Sequence, residues 1–411
     1  MHDIVPDMTT NTASDIATDM ATLGGIANPF EGLSWFSQDR AARASVLVAG
    51  CGALGNEVLK NLALFGVGSV VIVDFDVVEP SNLCRSVLFT RDDAARRRYK
   101  VDAARERLLA ISPGMSVTAI RGDIAHDVGL GLLSRMDVAI GCVDSRYARY
   151  CLNRLCMRAG IPWVDGGIDS LEGTVRVFAP GKNCYACNLG PEGLKELARR
   201  MPCTTIIHKN EEAGRVPTTP VIASIIGAME VQEAMKLIHQ EETAQGMMTS
   251  LCGKMFYYEG QHLTSKLVQF QAYDEDCPVH ERWAPAVQTT LTTMMTVEEA
   301  LAILSDTLHM KDPKILLRDY SFVDRITDRS TDEDIMVMQP SYLVADFMEQ
   351  DERLRYLSTN QFYQHEIHTI DTAFPYPRLT LAETGIPAND LFIVTSPDRE
   401  MYVAMKEELF V

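Results

Sequence analysis

Short apolar runs and amphipathic stretches alternate along the first part of the chain. The runs Ser45–Ala49 and Ser69–Val73 are almost entirely apolar, and residues 56–65 between them carry apolar side chains at helical spacing. A continuous apolar run of five residues is typical of a strand that is buried on both faces. The pattern therefore predicts a strand-helix-strand unit.

The same alternation continues through the middle of the chain. Further strands are predicted at 116–120, 138–141, 163–164 and 173–178, and further helices at 101–110, 146–158 and 221–239. Strands that alternate with helices in this way favour a largely parallel sheet covered on both faces. The predicted class is α/β, with a Rossmann-like sheet.

The pattern breaks near residues 282–285, after which a helix at 296–304 and short strands such as 391–394 predict a small α+β unit. The first residues are rich in Met, Thr, Asp and Ala without a strong period, which is typical of a tail. The predicted organisation is a tail at 1–30, a large domain at 31–282 with a crossover segment at about 195–220, and a C-terminal domain at 283–411.

Composition narrows the function classes. The 411 residues carry a formal net charge of -18, which argues against nucleic acid as a partner and leaves a basic protein as an alternative. The ten cysteines are scattered, with none of the density of a disulfide framework. Since no apolar run is long enough for a bilayer crossing and no secretory signal is visible, we expect no membrane partner and a cytoplasmic protein.

A glycine-rich loop joins the first strand to the first helix. Gly50, Gly52 and Gly55 form a G-x-G-x-x-G motif, in which glycine lets backbone amides approach a phosphate at a helix N-terminus. The motif alone predicts a nucleotide and leaves a nicotinamide-dependent dehydrogenase as an alternative.

The loop after the second strand changes this interpretation. Asp74, Asp76, Asn82 and Arg85 lie close together in the sequence, and Lys100 follows the arginine-rich stretch at 96–98. Hydride transfer does not require such an arginine, whereas a triphosphate requires cations on its phosphates and an acidic group on its ribose or on a magnesium ion.

One more acidic residue ends the apolar strand at 138–143. Asp144 extends this group of charged residues, and the alternative is that it caps the following helix. The arginines at 96–98 are interpreted as a solvated helix face.

Together these motifs resemble the ThiF-type family of ubiquitin-activating enzymes and sulfur-carrier adenylating enzymes. The resemblance covers roughly residues 45–280 and is carried by the stretch 52–64, by the acidic loop with its serine-asparagine-leucine and arginine at 81–85, and by residues 142–145. It implies adenylation, in which a protein's C-terminal carboxylate attacks the α-phosphorus of ATP and releases pyrophosphate.

The resemblance also implies roles for individual residues. Asp74 would hold the ribose of ATP, Asn82, Arg85 and Lys100 its phosphates, and Asp144 the Mg²⁺ ion. The full nucleotide set predicted here consists of Gly50, Gly52, Gly55, Asp74, Asp76, Asn82, Arg85, Lys100, Asp144 and Ser145.

One position departs from the family. The family places an arginine near an aromatic residue before the first strand, where this chain has Asn28, Pro29, Phe30 and Glu31. Arg40 and Arg43 stand closer to the strand than that arginine does. The departure puts in doubt both catalytic competence and the exchange of that arginine across a dimer.

Two short segments, each with two candidate metal ligands three positions apart, predict a metal site. Each such segment is called a hook here. Cys184 and Cys187 form one hook, and Cys277 and His280 the other, which gives the Cys3His set of a closed structural Zn²⁺ site. The family has hooks at these places but four cysteines, so His280 is a departure. The alternative is unligated thiols.

Cys203 is the candidate nucleophile. It precedes Thr204 in a polar segment, and a Cys-Thr pair before the long helix resembles the ubiquitin type of activating enzyme. The alternative is an ordinary loop cysteine. Residues 379–387 resemble part of the ubiquitin-fold domain that recruits a conjugating enzyme, and the alternative there is a buttressing or dimerising domain.

The leading hypothesis is adenylation of a ubiquitin-like protein, thioester formation on Cys203 and transfer to a conjugating enzyme by a homodimeric enzyme that uses ATP, Mg²⁺ and Zn²⁺. A sulfur-carrier-protein adenylyltransferase is the alternative within the family, and a catalytically silent scaffold subunit is the alternative outside enzymes. The sequence does not name the ubiquitin-like protein, the conjugating partner or the final target.

Overall fold

The chain folds into a large α/β unit followed by a smaller C-terminal unit. The computed structural model describes residues 30, 32–190, 192, 193, 195, 197, 218–240, 248–283, 285–358 and 360–406. The tail predicted at 1–30 lies outside these residues except for Phe30, whose ring packs against Phe36 and Phe65 at centroid distances of 5.0 and 5.5 Å.

The large unit is built on an eight-stranded sheet. Its strands are β1 (Ser45–Ala49), β2 (Ser69–Val73), β3 (Ser116–Ile120), β4 (Val138–Gly141), β5 (Trp163–Asp169), β6 (Glu172–Phe178), β7 (Lys254–Glu259) and β8 (Thr264–Gln269). The spatial order is β3-β2-β1-β4-β5-β6-β7-β8. The strands from β3 to β5 run parallel, and β6, β7 and β8 extend the sheet as antiparallel strands. The predicted mostly parallel α/β sheet is confirmed.

Helices cover both faces of this sheet. They are α1 (Gln38–Arg43), α2 (Ala53–Phe65), α3 (Arg91–Ala95), α4 (Lys100–Ile111), α5 (Leu130–Leu133), α6 (Arg146–Ala159) and α7 (Pro220–Ile238). Helices α2, α4 and α7 contribute to one core, whose buried residues include Val48, Leu59 and Ile226. Helices α5 and α6 contribute to the core on the opposite face, around Leu47 and Trp163. Burial on both faces explains why the central strands β1, β2 and β4 are almost entirely apolar.

The C-terminal unit contains two smaller sheets. Its elements are β9 (Val287–Gln288), α8 (Val297–Leu308), β10 (Lys314–Leu316), β11 (Phe322–Asp328), β12 (Glu333–Pro340), α9 (Val344–Gln350), β13 (Phe362–Ile367), β14 (Thr369–Ile370), β15 (Leu391–Ser396) and β16 (Arg399–Ala404). One sheet has the order β14-β10-β15-β16-β9 and shares a core with α8, and the other has the order β12-β11-β13 and shares a core with α9. The unit is α+β in class.

The two units are joined through α5 and α6. Arg154 and Arg158 of α6 form ion pairs with Asp319 at N–O distances of 2.9 and 2.6 Å. The amide of Leu130 donates to Asp390 Oδ1 at 2.9 Å. A Cβ atom at Gly131 would lie 2.6 Å from the carbonyl oxygen of Asn389, so the absence of a side chain at Gly131 permits this close approach.

Candidate functional site

The predicted nucleotide residues converge at one edge of the sheet. The amide of Gly50 donates to the carbonyl of Val73 at 2.8 Å, and the amide of Cys142 donates to the carbonyl of Ala49 at 2.7 Å. The carboxyl ends of β1, β2 and β4 are therefore adjacent. In open parallel sheets this edge is where ligands bind.

The glycine loop has two glycines that the fold requires and one that faces open space. Gly50 has a φ of +93°, and a Cβ atom there would lie 2.5 Å from the carbonyl oxygen of Cys142. A Cβ atom at Gly55 would lie 2.1 Å from the carbonyl oxygen of Gly50. A Cβ atom at Gly52 would meet nothing within 4 Å, and Gly52 is the N-cap of α2. The loop thus leaves room for a phosphate at the helix N-terminus.

The side chain of Asn56 holds the glycine loop through hydrogen bonds. Its side chain is fully buried, and its Nδ2 donates to the carbonyls of Cys51 and Gly52 at 3.0 and 2.9 Å. Its Oδ1 accepts from the amide of Leu88 at 2.8 Å, which ties the loop to the segment that follows Arg85. Asn56 forms part of the family resemblance, but the sequence shows no role for it because its partner Leu88 is distant in the chain.

Asp74, Asp76 and Lys100 form one charged group beside the loop. Asp74 accepts from the amides of Cys51 and Asp76 at 2.6 and 2.8 Å, and Lys100 Nζ donates to Asp76 Oδ2 at 2.6 Å. Burial raises the pKa of Asp74, although the charge of Lys100 opposes this shift. Burial by itself would lower the pKa of Lys100, but Asp74 and Asp76 outweigh it and raise that pKa. Lys100 is therefore a buried, charged ammonium group at the strand ends.

Arg85 and Asn82 lie in the loop after β2. Asn82 Oδ1 accepts from the amide of Glu79 at 2.9 Å and so caps a short 3-10 helix, Pro80–Asn82. Arg85 Nη1 donates to Thr218 Oγ1 at 2.6 Å. Within the described ranges Arg85 pairs with no carboxylate, in contrast to Lys100. Its positive charge therefore has no anionic partner in this part of the structure.

Asp144 and Ser145 lie between β4 and α6. The N-cap of α6 is Ser145, whose Oγ accepts from the amide of Ala148 at 3.0 Å, and so the alternative of Asp144 as the cap is wrong. Asp144 is exposed and forms no side-chain hydrogen bond or ion pair among the described residues. An exposed carboxylate with free oxygens has the chemistry that Mg²⁺ prefers.

A buried charge network that the sequence analysis missed lies next to Asp144. Arg149 Nε and Arg176 Nη2 contact the fully buried Asp165 at 2.8 and 2.7 Å. Burial by itself would lower the pKa of Arg149, but Asp165, with a smaller contribution from Asp144, raises it. The spacing of these residues gives no signal, because β5 and β6 bring them together only after the sheet has formed.

Glu230 lies under the same strand ends. It is fully buried on α7, and a Cβ atom at Gly166 would lie 2.4 Å from its carboxyl carbon. Burial raises the pKa of Glu230 well above its usual range, and nearby Asp165 adds to this shift. This shift favours the protonated form of the Glu230 carboxyl group.

The structure brings the two predicted hooks together. The ligand atoms of Cys184, Cys187, Cys277 and His280 all lie within 4.8 Å of one another. Cys184 Sγ is 3.6 Å from Cys187 Sγ and 3.8 Å from Cys277 Sγ, and Cys187 Sγ is 3.3 Å from His280 Nε2. Tetrahedral zinc spaces its ligand atoms by about 3.5 to 4 Å, so the four residues fit this ion. Burial raises the pKa of the Cys184 thiol to about 12.

Asparagine side chains hold the two hooks in place. Asn153 on α6 is fully buried, and its Oδ1 accepts from the amide of Tyr185 at 3.1 Å. Asn183 Nδ2 donates to the carbonyl of Gln271 at 2.9 Å, which joins the segment before the first hook to the segment before the second. These supports were not predicted, because each joins residues that are far apart in the chain.

Two regions singled out in the sequence lie largely outside the described residues: the crossover segment with Cys203, and the segment where the family has its upstream arginine. Cys203 lies outside the described residues, as does most of the crossover segment predicted at about 195–220. In the segment where the family places that arginine, Asn28, Pro29 and Glu31 also lie outside the described residues. Arg40 and Arg43 lie on the short helix α1, directly before β1.

No helix in the described ranges is long and apolar enough to cross a bilayer.

Comparison with known proteins gives a consistent family. The SAMP-activating enzyme E1 of Haloferax volcanii is 32% identical over 248 residues, which cover 59% of this chain and 82% of that protein. The molybdopterin-synthase adenylyltransferase of Salmonella typhimurium is 33% identical over 218 residues, which cover 52% of this chain and 81% of that protein. Among solved structures, E. coli MccB with ATP is 22% identical, with a TM-score of 0.47 over 59% of this chain and 68% of that chain.

The family model described as "ThiF family" matches residues 26–279. This range contains the glycine loop, the acidic loop, Asp144 and three of the four hook ligands, and it ends one residue before the fourth, His280. Since the match covers more than half of the sequence, the chain belongs to the ThiF family.

Proposed function

We propose that this protein adenylates the C-terminal carboxylate of a ubiquitin-like protein and then passes the acyl group through Cys203 to a conjugating enzyme. Adenylation is the activity for which the relatives are named, as in the adenylyltransferase of Salmonella typhimurium. The second step is supported by Cys203 itself and by a relative named as an E1, the SAMP-activating enzyme.

The observation that carries the proposal is the set of charges at the carboxyl ends of β1, β2 and β4. The glycine loop has open space at Gly52, Lys100 is a buried ammonium beside it, and the guanidinium of Arg85, in the loop after β2, has no carboxylate partner among the described residues. Such a set binds a polyphosphate and stabilises charge that develops on it. A dehydrogenase would need neither of the two cations.

In the first step, a carboxylate oxygen of the substrate attacks the α-phosphorus of ATP, the bond to the β-phosphate oxygen breaks, and pyrophosphate leaves. Arg85, Lys100 and Asn82 would hold the phosphates, and Asp74 would hold the ribose through lone pairs that its two backbone bonds leave free. Asp144 would bind Mg²⁺, which neutralises phosphate charge.

In the second step, the Cys203 thiolate attacks the acyl carbon, a thioester forms, and AMP leaves. A thiol of the conjugating enzyme then takes the acyl group in an exchange of one thioester for another. The C-terminal unit, with α8 packed on a mixed sheet, is proposed as the site that recruits that enzyme, and a ubiquitin fold is proposed for it on the resemblance of residues 379–387.

The second candidate is a sulfur-carrier-protein adenylyltransferase. It is favoured by relatives with that function in their names, including the sulfur carrier protein adenylyltransferase of Thermus thermophilus, which is 30% identical over 248 residues. This candidate shares the adenylation step and differs in the fate of the acyl group. A scaffold subunit without catalysis is the remaining alternative.

Two further properties belong to the proposal. Cys184, Cys187, Cys277 and His280 would hold a structural Zn²⁺ with all four positions filled by protein, so the ion takes no part in catalysis. A homodimer is supported by the β7–β8 hairpin, because every residue of β8 is exposed along the edge of the sheet.

ATP-pyrophosphate exchange tests the first step, with candidate ubiquitin-like proteins as substrates. A non-reducing gel then compares the parent with Cys203→Ala, and Cys84→Ser serves as the control because Cys84 is an exposed thiol. We expect exchange in all three proteins and a thiol-sensitive adduct in the parent and in Cys84→Ser only.

The remaining outcomes separate the candidates. Exchange without an adduct in any of the proteins favours the sulfur-carrier candidate. No exchange with a verified partner rejects both enzymatic candidates and favours the scaffold.

A further inference from the structure

We propose that Thr218 is a positioning residue that aims Arg85 at the phosphates and couples this arginine to the end of the crossover segment. The inference rests on the proposed function, because it assigns Arg85 to the phosphates of ATP. Thr218 lies just before α7, and the crossover that contains Cys203 ends there. No motif in the sequence connects Thr218 with the acidic loop.

The contact itself is short and joins distant parts of the chain. Arg85 Nη1 donates to Thr218 Oγ1 at 2.6 Å across 133 residues, and both side chains are half-buried. A guanidinium has five N–H donors, so a single neutral acceptor leaves most of them and the whole positive charge available. Thr218 therefore fixes the direction of the group without competing for its charge.

The position of Thr218 is itself fixed. Its backbone forms a parallel bridge with Ser170, next to the turn between β5 and β6. The following residue, Thr219, caps α7 by accepting from the amide of Ile222 at 3.3 Å. Thr218 is thus held between the central sheet and the first turn of a 19-residue helix.

Helix α7 is in turn packed against the helix that starts in the glycine loop. A Cβ atom at Gly227 of α7 would lie 2.9 Å from Cβ of Glu57 on α2, so the two helices meet closely at this glycine. The arginine, the helix and the glycine loop therefore share one rigid framework.

This arrangement has a direct chemical consequence. An arginine side chain that rotates freely loses conformational entropy when it binds phosphate, and a hydrogen bond that orients it beforehand lowers this cost. Phosphate binding by Arg85 therefore depends on the Thr218 hydroxyl. Removal of the Thr218 hydroxyl should weaken ATP binding without a comparable effect on the fold.

Substitution of Thr218 by valine tests the proposal, because valine keeps the volume and removes the hydroxyl. The dissociation constant of Mg-ATP is measured by calorimetry, and the KM for ATP by pyrophosphate exchange. We expect Thr218→Val to raise both by roughly three- to tenfold, since one hydrogen bond to a charged group is lost. Thr218→Ser, which restores the hydroxyl, should stay within about twofold of the parent.

Two comparisons separate a positioning role from a structural one. Thr118→Val changes a half-buried threonine of β3 that has no side-chain hydrogen bond among the described residues, and it should leave ATP binding unchanged. In an Arg85→Met background, Thr218→Val should have no further effect, because the group that it positions is absent.

Each result is decisive. Equal weakening by Thr218→Val in the parent and in the Arg85→Met background overturns the inference, as does unchanged ATP affinity in Thr218→Val. A parent that does not bind Mg-ATP overturns the proposed function and this inference together. A parent that binds while Thr218→Val binds equally well overturns the inference alone.

Discussion

Asn56 satisfies three backbone groups at once and has no exposed surface. Truncation of this side chain leaves the carbonyls of Cys51 and Gly52 and the amide of Leu88 without their partner. A buried group that loses its hydrogen bond costs roughly 1 to 3 kcal/mol. We expect Asn56→Ala to lower the free energy of unfolding by about this amount and to weaken Mg-ATP binding, as measured by urea unfolding and calorimetry.

The matched control is Asn61→Ala on the same helix. Asn61 is half-buried, and its side chain forms no hydrogen bond among the described residues. A loss of stability in Asn61→Ala as large as that in Asn56→Ala would show that the loop contacts of Asn56 do not matter.

For single residues, the sequence predicts those with a direct chemical role and misses those that hold them in position. Gly50, Asp74 and Lys100 stand in recognisable spacings, because the loop and the strand ends are local features. The partners of Asn56, Thr218 and Asn153 are 32, 133 and 32 residues away, and no local pattern encodes such pairs. The α6 cap is a local feature, and there the alternative of Asp144 is wrong by one position, because the neighbouring Ser145 fills the cap.

The paired hooks are the element for which metal removal gives the clearest test. Cys187→Ser replaces a thiolate by a poorer ligand, and we expect the bound zinc, measured by mass spectrometry, to fall from about one ion per chain to nearly none. The melting temperature should fall as well, since metal binding contributes to the free energy of folding.

Cys84→Ser is the control for this experiment, because Cys84 is an exposed thiol outside the cluster. Zinc content that is equal in the parent and in Cys187→Ser would contradict the assignment of the cluster to this metal. Zinc loss in Cys84→Ser would contradict it too.

Element types were predicted best where burial is uniform. The strands Ser45–Ala49, Ser69–Val73 and Val138–Gly141 have the predicted bounds, because nearly all of their residues are buried and the apolar run marks the whole strand. The less buried edge strand Ser116–Ile120 also has the predicted bounds. The predicted helices at 101–110, 146–158 and 221–239 are confirmed within one residue at each end.

The β7–β8 hairpin was not predicted, and its exposure explains why. All residues of β8 are exposed and all of β7 are half-buried, so no alternation of apolar and polar positions marks a buried face. In β12 the outward-facing Met336 and Met338 are exposed apolar residues, which obscure the period of two in the sequence.

The contact between the two units makes the stability of the whole molecule depend on pH. The His126 ring stacks on Tyr342 of the C-terminal unit at a centroid distance of 4.0 Å. Burial lowers the pKa of His126 from 6.5 to about 4, although Asp123 and Asp319 oppose this shift and Arg154 adds to it.

The native state therefore binds fewer protons than the unfolded state between about pH 4 and 6.5, and the free energy of unfolding should fall as the pH is lowered through this window. His126→Phe keeps the stacking and removes the titration, so its free energy of unfolding should depend less steeply on pH in this window. Identical pH dependence in the two proteins would contradict this assignment. Urea unfolding at several pH values makes the comparison.

Asp390 should give the opposite slope at the same contact. Burial raises its pKa from 3.8 to about 6, so the native state keeps a proton that the unfolded state releases, and stability should fall as the pH rises through this range. Asp390→Asn retains an acceptor for the amide of Leu130 and removes this dependence. A parent and an Asp390→Asn variant with the same slope would show that Asp390 is not the group responsible.

Helix α6 connects the candidate metal carboxylate, Asp144, to the C-terminal unit. Asp144 and Ser145 stand at its start, while Arg154 and Arg158 near its other end bind Asp319. Its 14 residues span about 21 Å, so under the proposed function the length of α6 would set how far a partner held by the C-terminal unit stands from Asp144. One residue inserted into α6 would turn that partner by about 100° around the helix axis. The length of this helix would therefore also set the orientation of the partner relative to Asp144.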